Sequence, residues 1–294
     1  MLKNLPFRLE SAFVRAGYAA ARARHGSSPY ISGDTFRLLA QHRFEQGCEE
    51  RFDPTMVVEG ELVYCESGLL RTFFSGSGCR IKKPFRLLTH NGDMNIDAAV
   101  EGEMPPMVSH WFAQNVRVDY PKVIPIPIGL ENRRFHANGI VGDFQALRQD
   151  LPKKDKKNRI MYGFTAGTNP RERVPCREAL KGTALANEEG RTNGRDYLRL
   201  LSSYRFVASP PGNGEDCHRT WEAMYLRVVP IVKRSVCMIS FQRHGLPLLL
   251  IDDWREAASW NEKDLDDRYQ ALQQGFDSPC LWMDFWASLV GGAV

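Results

Sequence analysis

The sequence lacks most of the short patterns that would assign a function class at once. It has no Cys-x-x-Cys pair, no G-x-x-x-x-G-K-[ST] or G-x-G-x-x-G loop, no internal repeat and no low-complexity segment. No apolar run approaches the roughly 20 residues of a membrane-spanning helix, so a spanning segment is not expected. The missing glycine-rich loops argue against a P-loop nucleotidase and a conventional dinucleotide enzyme. The seven cysteines, Cys48, Cys65, Cys79, Cys176, Cys217, Cys237 and Cys280, are odd in number and unpaired in spacing. Neither a zinc site nor a disulfide framework is expected from them, and with no secretory pattern the simplest account is reduced thiols in a cytoplasmic chain. Charge of one sign is scarce too: 39 Lys and Arg against 35 Asp and Glu leave a net +4, too little to argue for nucleic acid. The single Asp-x-Asp, Asp264-Leu265-Asp266, falls at the start of an expected helix over 262–274, where carboxylates are favoured by the helix dipole anyway. No metal and no resident cofactor are therefore expected.

What is present is an ordinary globular chain of 294 residues, 43% apolar and 25% charged, long enough for two modest domains. Residues 1–25 read as a basic, Ala-rich helix that either packs on its own domain or rests peripherally on lipid headgroups at the inner face of a membrane. After a Gly-Pro break, residues 30–36 give a short extended piece and a helix start, with Asp34 either an N-cap or a site residue. A strand is expected over 61–65, a helix over 69–74, and a strand over 85–89 that ends in His90-Asn91-Gly92-Asp93. A His and an Asp at the carboxyl end of a parallel strand lie where such sheets place their chemistry, although the same residues also make self-bonded turns. A helix is expected around 109–115, then a strand over 122–126, whose alternating prolines confine it to an edge or an extended path. The basic run at 153–159 is the best domain boundary, giving domains over 1–152 and 160–294.

The second half restarts with a strand over 160–164, a small-residue turn over 165–170 and a helix bearing Arg171, Arg173 and Arg177. Cations at a helix N-terminus oppose the dipole, so Arg171 and Arg173 make sense if an anion lies between them. The most organised stretch is 204–232: strand, Pro-Pro-Gly-Asn-Gly turn, helix over 215–227, strand. Asn213 is placed as its N-cap with Asp216 in a capping-box position. Glu215, His218, Arg219 and Glu222, spaced three, four and seven apart, would share one helix face starting at that turn, either as a ligand site or as salt bridges on a solvated face.

The segment PPGNGEDCHRTWEAMYLRVVPIVKRS, followed by LPLLLIDDW, resembles the carboxyl-terminal signature of exostosin-like (family 47-type) glycosyltransferases over residues 204–254. A Gly is common after the helix in that family, where this chain has Leu226 and Arg227. The resemblance implies a GT-B-like α/β fold, two Rossmann-type βαβ domains facing a cleft, with the nucleotide-sugar donor on the second and the acceptor on the first. A last helix near 281–289 would pack back on the first domain. It further implies that Glu222 holds the donor ribose and that Arg219 is a phosphate or structural partner. Together with Arg171 and Arg173 from the earlier helix, the turn of Pro211, Gly212, Asn213 and Gly214, with Glu215 and His218, is expected to form the rest of the donor site. Asp93, His90 or Asp34 would act as base. The expected activity is sugar transfer to a glycan or lipid-linked acceptor in surface polysaccharide synthesis. The alternatives are a non-catalytic nucleotide-sugar or glycan binder, and a transferase of pyruvyl or alditol phosphate on the same fold.

Overall fold

The computed structural model describes residues 26–135, 138–151, 155–190, 192 and 194–292, with the Arg134 side chain left aside. The basic helix expected over 1–25, with its membrane contact, and Lys153 and Lys154 of the expected linker lie outside the described residues.

The first half builds a five-stranded parallel sheet in the order β1-β2-β3-β4-β5. Its strands are β1 (His42–Phe44), β2 (Leu62–Glu66), β3 (Phe85–His90), β4 (Val108–Ala113) and β5 (Val123–Pro125). The helices around it are α1 (Gly33–Leu38), α2 (Leu70–Phe73), α3 (Ala98–Gly102) and α4 (Val141–Asp150). Burial does not alternate along β2, where Leu62, Val63, Tyr64 and Cys65 are all buried, because a sheet covered on both faces needs apolar residues at every position. β5 is the edge strand that its prolines require.

Two local expectations are corrected here. The segment expected as a helix around 109–115 is the strand β4, held between β3 and β5, with the Trp111 indole N–H donating to Thr89 Oγ1 at 2.9 Å. A short run such as VSHWFA carries no usable period, and its aromatic residues are better buried between two neighbouring strands than on one helix face. The cap of α1 is Ser32, whose hydroxyl accepts from the Thr35 N–H at 3.3 Å; Asp34 lies inside the first turn.

The second half builds another five-stranded parallel sheet: β6 (Lys157–Tyr162), β7 (Ala186–Glu188), β8 (Tyr204–Ala208), β9 (Val229–Lys233) and β10 (Leu249–Ile251), in the order β10-β9-β8-β6-β7. Its helices are α5 (Pro170–Leu180), α6 (Gly194–Ser202), α7 (His218–Tyr225), α8 (Val236–Arg243), α9 (Trp254–Ser259), α10 (Glu262–Leu272) and α11 (Met283–Gly291). Because β7 lies outside β6 while β8, β9 and β10 run the other way, the winding reverses between β6 and β8. Open α/β sheets bind ligands at that reversal, outside the carboxyl ends of the two strands. The arrangement is the α/β one expected: two parallel Rossmann-type sheets with a cleft between their loops.

Helix α7 starts at His218, three residues later than expected, with Cys217 as an N-cap whose side chain does not cap the helix. Asn213 and Asp216 do not cap it, because residues 213–218 are drawn instead onto loops of the first sheet. Asn213 donates to Asp93 at 3.0 Å, Arg117 pairs with Glu215 at 2.6 Å, and the Asp216 carboxylate accepts the Ile128 N–H at 2.8 Å. The first and second halves are thus clasped by one loop. Gly214 is required there, since a Cβ would come within 2.4 Å of the Asn115 side chain.

The core is continuous across the clasp. Trp221, Tyr225, Phe241 and Trp286 belong to the same apolar cluster as Phe73, Leu87 and Trp111, while Ile160, Phe206, Ile231 and Trp254 form a second cluster on the far face of the second sheet. Helix α11 returns to the first half: the Met283 N–H donates to the Pro29 carbonyl at 2.9 Å and Arg86 donates to the Val290 carbonyl. Arg227, at the position where a Gly is common in the resembled family, adopts a left-handed φ of 55°, a conformation that a glycine takes without cost. In α10 the carboxylates of the Asp-x-Asp are accounted for: Asp264 completes a capping box with Asn261, and Asp266 pairs with Arg205 at 2.5 Å.

Candidate functional site

A cleft of about 800 Å³ opens at the reversal point of the second sheet, between the loop after β6, the loop after β8 and the facing loops of the first sheet. Its dominant feature is a group of three arginines around one aromatic ring. The guanidinium carbons of Arg173, Arg177 and Arg219 lie 5.8, 5.7 and 5.7 Å from the centre of the Phe164 ring. Each is oriented by backbone carbonyls rather than neutralised by them. Arg173 donates to the Pro211 and Thr165 carbonyls at 3.1 and 3.0 Å, Arg177 to the Phe164 carbonyl at 2.8 Å, and Arg219 to the Gly163 carbonyl at 3.0 Å and the Tyr197 hydroxyl at 3.3 Å. Of the three, Arg177 has a carboxylate partner, Glu188 at 3.1 Å. Burial, with the nearby Arg219 charge adding to it, pushes the Arg173 guanidinium below its ordinary range. Arginine does not give up its proton in proteins, so the group stands as concentrated positive charge in a partly dry wall, a site made for an anion.

Glu222 lies on α7 one turn after Arg219, is 8% exposed and lines the same cleft. Burial raises its carboxyl to about 7, against the lowering effect of Arg219. A group whose pKa is raised in the fold adds stability that is complete below its unfolded value, near 4.5, and is lost as pH rises through about 7. The unliganded protein should therefore lose on the order of 2–3 kcal/mol of stability from this group between about pH 4.5 and pH 8. Glu222→Gln should flatten that slope, read as the urea midpoint at several pH values. An unchanged slope in the variant would show that Glu222 is not the group responsible.

The sequence-derived candidates divide into three sets. Arg173, Gly212, Asn213, Gly214, His218, Arg219 and Glu222 line the cleft, and so does Asp93 on the opposite wall. Arg171 is exposed on α5 outside the cleft, Pro211 contributes its carbonyl to Arg173, and Glu215 is spent on Arg117 across the clasp. Arg171 fails because it lies two residues from Arg173, on another side of the helix, whereas Arg177 is four residues on and shares the face. That spacing is the signal that points to Arg177. His90 and Asp34 are buried beneath the first wall. The His90 ring accepts the Asn91 N–H at Nδ1, 2.8 Å, and donates from Nε2 to the Pro127 carbonyl at 3.0 Å, so both nitrogens are committed to the fold. The Asp34 carboxylate receives Asn91 Nδ2 at 3.5 Å in a network that continues from Asn91 to Asn132 at 2.8 Å.

Asp216, expected as a cap, is instead the buried anchor of the clasp. Its carboxylate accepts three N–H groups, from Ile128, the Trp221 indole and Cys217, each at 2.8 Å. Burial outweighs the three donors, which pull the other way, and raises this carboxyl to about 7. A carboxylate ringed by donors is the form the geometry favours.

Among the described residues no group of three or more His, Cys, Asp or Glu could hold a metal ion, and no helix is long and apolar enough to cross a membrane. No family model matches the chain, and no curated protein matches it. The exostosin likeness therefore rests on the residues of 204–254. Solved structures with a related course of the chain include the Anabaena protein Alr3699/HepE in complex with UDP, at 12% identity, covering 87% of this chain and 77% of that one with a TM-score of 0.41. The same protein in complex with UDP-glucose aligns at 11% identity over 87% and 77%, with a TM-score of 0.36. A UDP-forming α,α-trehalose-phosphate synthase from Burkholderia vietnamiensis aligns at 10% identity over 99% of this chain and 82% of its own, with a TM-score of 0.44.

Proposed function

We propose that this protein is a glycosyltransferase that moves a hexosyl or pentosyl group from a nucleotide-sugar donor to a glycan or lipid-linked acceptor in surface polysaccharide synthesis. The single observation that carries the reading is the convergence of Arg173, Arg177 and Arg219 on Phe164 at the reversal point of the second sheet, with Glu222 one turn further along α7. A departing diphosphate develops negative charge, and preorganised guanidinium groups in a partly buried wall stabilise that charge more strongly than water would. Glu222 is the acceptor for ribose hydroxyls, as the exostosin resemblance implies. The first wall, with Asp93, receives the acceptor. Three arginines on the diphosphate take the place that a divalent cation holds in other transferases, so the reaction is proposed to be metal-independent. The cytoplasm is the proposed compartment, where nucleotide sugars and reduced thiols belong together.

The test is a thermal-shift panel of UDP, GDP, CDP, ADP and TDP on the full chain, with and without magnesium. A ligand that binds only the folded state raises the midpoint by mass action, about 2.7 kcal/mol of stabilisation at 100 times its dissociation constant. One nucleoside diphosphate is expected to shift the midpoint equally with magnesium and with chelator. No shift with any of the five would remove the nucleotide-sugar reading in favour of a donor without a nucleotide.

A further inference from the structure

The nucleotide wall explains where a leaving group goes but not where the acceptor's proton goes, and His90 and Asp34 are unequal to that task. His90 has both ring nitrogens committed and Asp34 is buried in a side-chain network. Asp93 is exposed, with one oxygen held by Asn213. A second open candidate, and one with a fixed orientation, is His218, the first residue of α7.

Its orientation is set by the opposite half of the molecule. His218 Nδ1 lies 2.8 Å from the carbonyl oxygen of Gly129. A carbonyl can only accept, so Nδ1 carries the proton and Nε2 of the neutral ring carries the lone pair. Gly129 presents that carbonyl from a left-handed turn, φ 67°, where a Cβ would fall 2.2 Å from the Ile31 carbonyl oxygen, so glycine is what lets the loop approach. Nε2 has no hydrogen-bond partner among the described residues, yet it is not among their sealed unsatisfied atoms, and His218 lines the cleft. The free lone pair is therefore not sealed in the fold, and it belongs to a side chain of the cleft wall. The charged groups acting on the ring from outside its own helix are Glu131, after β5, and Asp93, after β3; both favour the protonated ring. Burial outweighs them and keeps the ring below its ordinary pKa, hence neutral at pH 7 before reaction. Arg219, next on α7, turns toward Gly163 and the arginine group.

We propose that His218 Nε2 is the general base of an inverting transfer, a role that rests on the donor reading above. The acceptor O–H bond breaks with its proton passing to Nε2, while the acceptor oxygen bonds to the anomeric carbon. The bond from that carbon to the donor phosphate oxygen breaks, and its electron pair stays on the diphosphate facing Arg173, Arg177 and Arg219. Asp93 and Glu131 stabilise the imidazolium that results, and the Gly129 carbonyl keeps the correct tautomer in place, the logic of a base oriented by a third group.

Two measurements on the full chain test this. Nitrogen-15 NMR of the ring, assigned by comparison with His218→Gln, should show the neutral Nδ1–H tautomer at pH 7; an imidazolium or an Nε2–H tautomer there would overturn the proposal without any variant needing to be active. Release of nucleoside diphosphate from the hexose conjugates of the panel nucleotides, with water as acceptor, should fall about 100-fold in His218→Gln. The midpoint shift caused by the free nucleoside diphosphate should be unchanged, and the acid limb of the pH–rate profile should vanish in His218→Gln but persist in Asp93→Asn. Release within threefold of the unsubstituted protein, loss of nucleotide binding, or an acid limb that disappears with Asp93 instead would each reject His218 as base. Failure of the donor reading is separable, because it shows as no nucleotide shift in the unsubstituted protein.

Discussion

Replacing Arg173 with methionine is expected to weaken nucleoside diphosphate binding about 100-fold while leaving the unliganded protein as stable as before or slightly more so. The two halves of that expectation come from one fact. Arg173, Arg177 and Arg219 surround one ring at 5.7 to 5.8 Å, so without an anion they repel one another across a partly buried wall. Arg173 lies below its ordinary pKa range through burial and through the Arg219 charge, which means that the unliganded fold carries this cation at a cost. Methionine keeps most of the side-chain volume against Phe164 and removes the charge; it forgoes two bonds to the Pro211 and Thr165 carbonyls. With a diphosphate bound, the balance reverses. Charge-assisted bonds to phosphate are about twice as strong as neutral ones, and a 100-fold loss corresponds to about 2.8 kcal/mol. Isothermal titration and thermal denaturation of the same preparation read both quantities. The control is Arg171→Met, on the exposed side of α5, which should change neither. Unchanged affinity together with a lowered midpoint in Arg173→Met would make the arginine group a structural feature and remove the anion site.

Asp216→Ala should destabilise the protein by about 3–5 kcal/mol. The carboxylate gathers three N–H donors at 2.8 Å, one from the first half at Ile128, one from the Trp221 indole in the core and one from the start of α7 at Cys217. Alanine leaves all three without their acceptor, and the Trp221 indole has no access to water in exchange, since Trp221 is 0% exposed. Leaving one buried donor unsatisfied costs about 1–3 kcal/mol. Asp216→Asn should cost less, because its carbonyl oxygen still accepts, but its amide would confront a donor. Urea denaturation of the three proteins gives the order unsubstituted, Asn, Ala. The loss should reach the cleft as well, because the same loop carries Asn213, Gly214 and His218. An alanine variant as stable as the unsubstituted protein would mean that the clasp is held elsewhere, by the shared apolar core alone.

How much of this was legible beforehand depends on whether a feature is local. The strand, turn, helix and strand over 204–232 could be read because apolar runs, a Pro-Gly turn and a helical spacing all agree within 29 residues. The common place of Arg173, Arg219 and Glu222 on the cleft wall could be read for the same reason: dipole, period and motif point the same way. The segment of β4 could not, because six residues without a period are decided by the strands on either side of them. Nor could the true start of α7, since what displaces Asn213 and Asp216 from capping is a set of partners near residues 93, 115 and 128, far away in the chain.

The order of amino acids was enough to set the class of architecture, alternating strands and helices with a Pro-Gly turn in the second half, since those follow from propensity, period and turn chemistry over short distances. Which charges meet was settled by the packing of the whole chain. It chose Arg177 over Arg171, sent Glu215 to Arg117, buried His90 and Asp34, made Asp216 the clasp and tied His218 Nδ1 to the Gly129 carbonyl. The physical reason is that a side chain's partner is set by contact between segments far apart in the chain, and neither helical period nor local charge carries that information.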